Sequence, residues 1–354
     1  MQRRAFLATP GLAAFAATTT TELPVVGTGD GIPHRPEEYA ALLARLSPGV
    51  KADNFSLGGV VETLEQKVAA LLGKEYAVWM PTGTLANHTA VRALAGDKRR
   101  VVVQKESHLY NDCGDCCQTL SNLNLLALGE GKATFTLADI QNEAKRGDGG
   151  RVAVPIGAIQ IETPVRRQTG EVFDFEEIKR ISAWARANGV GMHLDGARLF
   201  LASAYSGKPV SEYASHFDTV FVSMYKYFNA ASGAVLAGPK KLLENMFHTR
   251  RMFGGGQPHA WPFAAVALHY FEGYPERMSK AVETSEKVIA ALRNDRRFEV
   301  ERVPNGTNIF FLRANGLKPR AGLMLGQPSN GRYQVQVNET WARASADEII
   351  SRFG

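Results

Sequence analysis

"GMHLDGARLF", residues 191–200, sets an acid at the mouth of a short apolar run and a guanidinium three residues beyond it. Upstream, "ARANGV" (185–190) reads as a helix end followed by a Gly-containing turn. Gly191 to Asp195 is therefore expected as a short buried strand with Asp195 at its carboxyl end. An aspartate in that place caps the next helix, or it faces a ligand beyond the strand ends of an open α/β sheet. What else reaches the same edge decides between the two.

Outward from Asp195, helical and strand signals alternate from about Asp53 to about Pro239. "YAVWM" (76–80), "RRVVVQ" (99–104), "AIQIET" (158–163) and "DTVFVSM" (218–224) are short apolar runs, mostly β-branched. "VETLEQKVAALLG" (61–73) and "DFEEIKRISAWARANG" (174–189) carry helical spacing and a Gly stop. Strands alternating with helices at this distance define a doubly wound, mostly parallel sheet. The last hundred residues, with "AVETSEKVIAALRND", "FEVERVP", "TNIFFLRA" and "RYQVQVNE", make a smaller α+β unit together with "PEEYAALLARLS" (36–47). The expected division is a leader and linker at 1–22, a large domain at 50–245, and a small domain from 23–49 with 246–354.

At 354 residues with 45% hydrophobic and 21% charged side chains, the composition is that of an ordinary globular chain. A net charge of +6 without a dense Lys/Arg stripe argues against nucleic acid as a partner. The opening "MQRRAFLATPGLAAFAATTT" pairs a twin arginine with a short apolar run and an Ala-x-Ala site, the pattern of a twin-arginine export signal. Periplasmic or exported placement is the expectation, with the cytoplasm as the alternative. No later segment approaches the ~18 apolar residues a membrane span needs. All three cysteines fall in "NDCGDCCQ", at Cys113, Cys116 and Cys117, without a second Cys/His pair at zinc spacing. No metal site is expected; a local disulfide or free thiols remain open.

Four sites fall at strand ends. "MPTGTLANH" leads a strand through Gly83 and Thr84 into a helix, whose free N–H groups and dipole suit a phosphate. His108 follows a strand in "ESHLYND", and Asp195 with Arg198 follows another. Lys226, in "SMYKYFNAASG", comes directly after a buried strand; an amine there is poised to form a Schiff base with a carbonyl. Phosphate cradle, aromatic ring, carboxylate and amine together describe pyridoxal 5'-phosphate (PLP). Its phosphate would rest on Gly83-Thr84, with His108 over the ring, Asp195 on the pyridinium nitrogen and Lys226 on the aldehyde carbon.

"PTGTLANHTA", "HLDGARLF", "SMYKY" and "RRMFGGG" resemble the threonine aldolase/β-eliminating lyase family of fold-type I PLP enzymes. The resemblance is specific from about Asp53 to Gly256. It implies a PLP-dependent transferase-like α/β fold with a seven-stranded, mostly parallel sheet and a small α+β domain. It implies a homodimer or homotetramer, and matches Lys226, His108, Asp195 and Arg198 to the family's cofactor residues, with Ser223 beside them. The implied reaction is retro-aldol cleavage of an L-β-hydroxy-α-amino acid to glycine and an aldehyde; β-elimination or transamination of another amino acid is the alternative. Departures gather in the substrate shell. Gly29 stands in a serine's position, Phe55 in a tyrosine's, Val165 and Arg166 replace the end of an "ENTHN" motif, Pro258 follows the triple glycine where arginine is usual, and Tyr225 precedes the lysine. Arg332 is the expected grip on the substrate carboxylate, and His34 is a candidate for the proton relay.

Overall fold

A computed structural model describes residues 23–314 and 316–354; the export-like segment 1–22 lies outside the described residues. The strands are β1 (Val25–Val26), β2 (Tyr76–Met80), β3 (Arg100–Gln104), β4 (Asn124–Leu128), β5 (Ile156–Glu162), β6 (Gly191–Asp195), β7 (Thr219–Ser223), β8 (Ala234–Gly238), β9 (Phe298–Arg302), β10 (Ile309–Ala314), β11 (Leu323–Met324) and β12 (Arg332–Gln336).

Seven strands form one sheet in the order β2-β8-β7-β6-β5-β3-β4. β8 runs antiparallel to both of its neighbours, while the remaining contacts are parallel. Successive side chains alternate between the two faces of a strand, and this splits the core. Val78, Met80, Phe221, Ala234 and Leu236 pack on one side with Ala86 and Ala90. Ala77, Trp79, Val220, Val222 and Val235 belong to the larger cluster on the other side. Because both faces are covered, the strands read as continuous apolar runs rather than alternating ones.

Three helices matter for the site: α1 (Pro36–Leu46), α2 (Gly59–Leu72) and α3 (Gly83–Ala95). α3 begins where β2 ends and lies across β5 to β8. Thr82 caps it, its hydroxyl accepting the N–H of Leu85 at 3.2 Å. α1 packs on the helix Trp261–Phe271, which in turn lies on α2. Beyond them the helix Tyr274–Asn294 supports the antiparallel sheet β12-β10-β9. β1 pairs in parallel with β11, so the chain near its start is tied to this C-terminal unit.

Candidate active site

Register on the large sheet puts Glu162 opposite Asp195, and Asp195 opposite Phe221. His193 and Asp195, two residues apart, face the same side of β6, where α3 crosses. Asn87 of α3 joins them. Its Nδ2 donates to Asp195 Oδ2 at 2.6 Å, and its Oδ1 lies 2.8 Å from His193 Nε2. Nε2 must therefore carry the proton, leaving Nδ1 to accept from the Thr219 hydroxyl at 2.8 Å. Burial pushes the His193 pKa down to about 4, which keeps the imidazole neutral. Asp195 Oδ1 accepts the Ala197 N–H at 3.1 Å. Though buried, Asp195 has no ion-pair partner among the described residues.

The turn into α3 brings the backbone close to β7. A Cβ on Gly83 would lie 2.4 Å from Cζ of Phe221, so no side chain fits there. Leu85's N–H is taken by Thr82, leaving those of Gly83 and Thr84 as the donors at the helix start. His108 opens a short turn of helix, α4 (His108–Asn111), next to this cradle. Its N–H donates to Glu162 Oε2 at 2.6 Å. Its Nδ1 lies 3.3 Å from the Cys113 sulfur, whose S–H points to Thr84 Oγ1 at 3.7 Å. Contact with Cys113 is the main influence raising the His108 pKa. The Cys113 thiol is itself pushed far up, by Cys116 beside it and by burial, and stays protonated. All three cysteines are free thiols.

Lys226 lies half-buried in the loop after β7, its Nζ 3.2 Å from the Tyr225 hydroxyl. The opening loop presses on its backbone: a Cβ at Gly31 would come within 2.2 Å of the Lys226 carbonyl oxygen. Asn229 fixes this loop, accepting the Ile32 N–H at 2.7 Å and donating to Glu339 at 3.0 Å. Arg198 points to the same place, where Asp30 receives its Nε at 3.0 Å and an Nη at 2.9 Å.

One cavity of about 1290 Å³ collects these groups. Gly83, Thr84, His108, Asp195, Arg198 and Lys226 line it, with His34 at its rim, where Nε2 meets the Tyr270 hydroxyl at 2.8 Å. Two expected residues stand elsewhere. Ser223, two residues beyond the cavity-lining Phe221, is wholly buried and does not line the cavity, its hydroxyl unpartnered among the described residues. Arg332 must be corrected as the substrate grip. It sits on β12, bonded to Glu301 at 2.6 Å and stacked 3.4 Å over the Phe311 ring, and does not line the cavity. A carboxylate of its own already holds it.

Asp30, Asn87, His193 and Glu162 were not anticipated. His193 was open to inference from its two-residue spacing to Asp195, and Asn87 from its place one turn into the helix behind Gly83. Glu162 is buried beside Asp195, and burial and then that neighbouring charge raise its pKa. Its oxygens accept the N–H groups of His108 and Arg166.

A buried carboxylate, a helix start with free N–H donors and a half-buried amine are the groups that PLP needs. A protonated pyridine nitrogen would supply the positive charge that Asp195 lacks. The architecture is that of the fold-type I PLP-dependent enzymes, with the site at the carboxyl ends of the parallel strands. The chain belongs to the beta-eliminating lyase family, whose model matches residues 53–315. It is 32% identical over 207 residues to the low specificity L-threonine aldolase of Saccharomyces cerevisiae, covering 58% of this chain and 53% of that one. With the low-specificity L-threonine aldolase of Candida albicans it shares 28% over 279 residues, 77% of this chain and 72% of that one. The chain thus spans about half the length of the Saccharomyces relative. A crystal structure from Listeria monocytogenes, of a candidate L-allo-threonine aldolase, superposes with a TM-score of 0.75 at 27% identity, covering 94% and 95% of the two chains.

Proposed function

We propose that this chain is a PLP-dependent carbon–carbon lyase that cleaves an L-β-hydroxy-α-amino acid, threonine-like or phenylserine-like, to glycine and an aldehyde. The observation that carries this is the meeting of Lys226, Asp195, His108 and the Gly83-Thr84 turn on one cavity. The aldolase names of the relatives support the bond chosen.

The N–H groups of Gly83 and Thr84 would hold the phosphate, His108 would cover the ring, Asp195 would take the ring N–H, and Lys226 Nζ would hold the aldehyde carbon. Bound PLP supplies the electron sink that delocalises the carbanion left on the substrate's Cα. The protein's own part is positioning and proton movement. Asn87 and the Ala197 N–H keep Asp195 aimed. Arg198 is held beside it by Asp30. With His108 Nδ1 directed at the Cys113 sulfur, Nε2 is the nitrogen left to take the β-hydroxyl proton as the carbon–carbon bond breaks.

Purified protein incubated with L-threonine or L-phenylserine is expected to release glycine and the matching aldehyde. No glycine from either would reject the proposal, and pyruvate with ammonia from serine- or cysteine-like substrates would replace it by β-elimination. Lys226→Ala is expected to lose the visible absorbance of the bound cofactor. Assembly as a homodimer or homotetramer belongs to the same proposal and is tested by light scattering. Export through residues 1–22 belongs to it too, and full-length protein confined to the cytoplasm would remove it.

A further inference from the structure

An α-amino acid brings a carboxylate into the cavity, and Arg332 is not there to meet it. We infer that Arg166 is the residue that grips the substrate's carboxylate. This rests on the proposed amino-acid lyase activity and assigns a specificity-determining residue to it.

Five lining side chains can carry positive charge: His34, His108, Arg166, Arg198 and Lys226. Arg198 is committed to Asp30 through two nitrogens. Lys226 is required at the aldehyde carbon. His34 is bonded to Tyr270, and burial lowers its pKa, leaving it neutral near pH 7. His108 lies under the constraint of Cys113 and serves the ring and the β-hydroxyl proton. Arg166 remains.

Its placement suits the task. Arg166 begins the 3-10 turn directly after the β5–Thr163–Pro164–Val165 segment. Its N–H is anchored on Glu162 Oε1 at 2.9 Å, and Glu162 pairs in register with Asp195. The guanidinium is half exposed at the cavity. One Nη donates to Asp112 Oδ2 at 2.7 Å, but Asp112 also serves Arg167, at 2.8 Å. Two guanidinium groups against one carboxylate leave a unit of positive charge at the mouth. Asp112 is held down to about 2, first by Arg167, so it remains an anion that orients Arg166 throughout the neutral range. One bond to Asp112 leaves most of the five guanidinium donors for a second, bidentate carboxylate.

The test compares glycine with glycinamide, which lacks the carboxylate, by calorimetric titration of the cofactor-loaded wild type, Arg166→Ala, Arg166→Lys and Arg167→Ala. Wild type is expected to bind glycine at least tenfold more tightly than glycinamide, and Arg167→Ala, which leaves Asp112 to Arg166 alone, should keep a smaller preference. Arg166→Ala should lose that preference, and Arg166→Lys should retain part of it because the charge remains without the fork. In cleavage assays Arg166→Ala should raise KM at least tenfold, with a smaller change in kcat. Thermal unfolding and cofactor absorbance of each variant check that the site is intact; should Arg166→Ala fail that check, Arg166→Lys alone decides, an undiminished preference for glycine refuting the assignment. An intact Arg166→Ala that still prefers glycine as strongly as the wild type overturns the assignment while leaving the lyase activity standing. A wild type that binds no glycine and cleaves no amino acid overturns both.

Discussion

Replacing Asp30 by alanine isolates a guanidinium that the fold has taken out of water. The Arg198 and Asp30 side chains are 16% and 9% exposed, and they meet through Nε at 3.0 Å and an Nη at 2.9 Å. Removing one partner of such a buried pair costs about 3–5 kcal/mol, because the other charge stays buried without compensation. The same pair on the surface would contribute under ~1 kcal/mol. Burial is the largest influence on Arg198, opposed first by the charge of Asp30. Removing both charges should therefore be far milder than removing either. Urea unfolding of the cofactor-free protein, followed by tryptophan fluorescence, gives the cycle of Asp30→Leu, Arg198→Met and the double variant. A coupling of about 2 kcal/mol or more is expected. The double variant should regain most of the stability yet bind PLP more weakly than wild type, since Arg198 also lines the cavity. A coupling below ~0.5 kcal/mol would refute the claim that this pair, rather than packing alone, holds the opening loop against the site.

Gly83→Ala forces a methyl group against the Phe221 ring at 2.4 Å; a loss of about 1–3 kcal/mol in stability and weaker PLP retention are expected by denaturation and dialysis, with Phe221→Leu restoring part of both. Burial lifts Glu65 to about 8, so its contribution to stability is complete below the unfolded value near 4.5 and is lost as pH rises through about 8. Glu65→Gln, which still presents a carbonyl to the Trp79 N–H, should therefore lose less stability than wild type between pH 5 and pH 8.5. Cys113→Ala removes the main influence that raises the His108 pKa, so the acidic limb of the pH profile of kcat should move to lower pH. Cys113→Ser should keep the limb near its wild-type position; identical profiles for all three proteins would show that the sulfur does not act on the ring.

The residues visible in the chain alone share a location. Gly83, Thr84, His108, Asp195 and Lys226 each follow a strand within a few positions, and apolar runs bounded by polar residues mark those ends clearly. The sheet was legible for the same reason, since six of its seven strands are buried at every position or all but one, as in Thr219–Ser223 and Ile156–Glu162. Asp30 was not legible, because its partner lies 168 residues away and a loop aspartate among glycines has no periodic signature. Arg332 misled for the converse reason. An arginine opening an alternating strand looks the same whether it faces a cavity or, as here, a glutamate two strands away on its own small sheet. Ser223 ends its strand on the same face as Phe221, two residues earlier, yet it is wholly buried and only Phe221 lines the cavity, a difference of depth that the sequence does not encode.

The two walls of the cavity are built differently, and that difference bears on how its chemistry varies. Asp195 is fixed by a chain of buried bonds through Asn87 and His193 to Thr219, all on the large sheet or the helix across it. Changing any member leaves a buried polar group unpaired, at about 1–3 kcal/mol each. The other wall consists of the loop at Asp30 to His34 and the turn at Arg166, held by a bond from Ile32 to Asn229, by the two-nitrogen pair of Arg198 with Asp30, and by the Arg166 N–H on Glu162. Apart from Asp30, whose partner is buried, substitution there removes single contacts and alters what the substrate meets. Asn229 also reaches Glu339, which pairs with Arg277 at 2.7 Å on the long helix of the C-terminal unit. Asn229 and Glu339 thus link that unit to the loop beside Lys226 and to the opening loop. Variation in the substrate accepted is accordingly expected to map to residues 28–34 and 165–167, and losses of the cofactor to the Asn87–His193–Asp195 set.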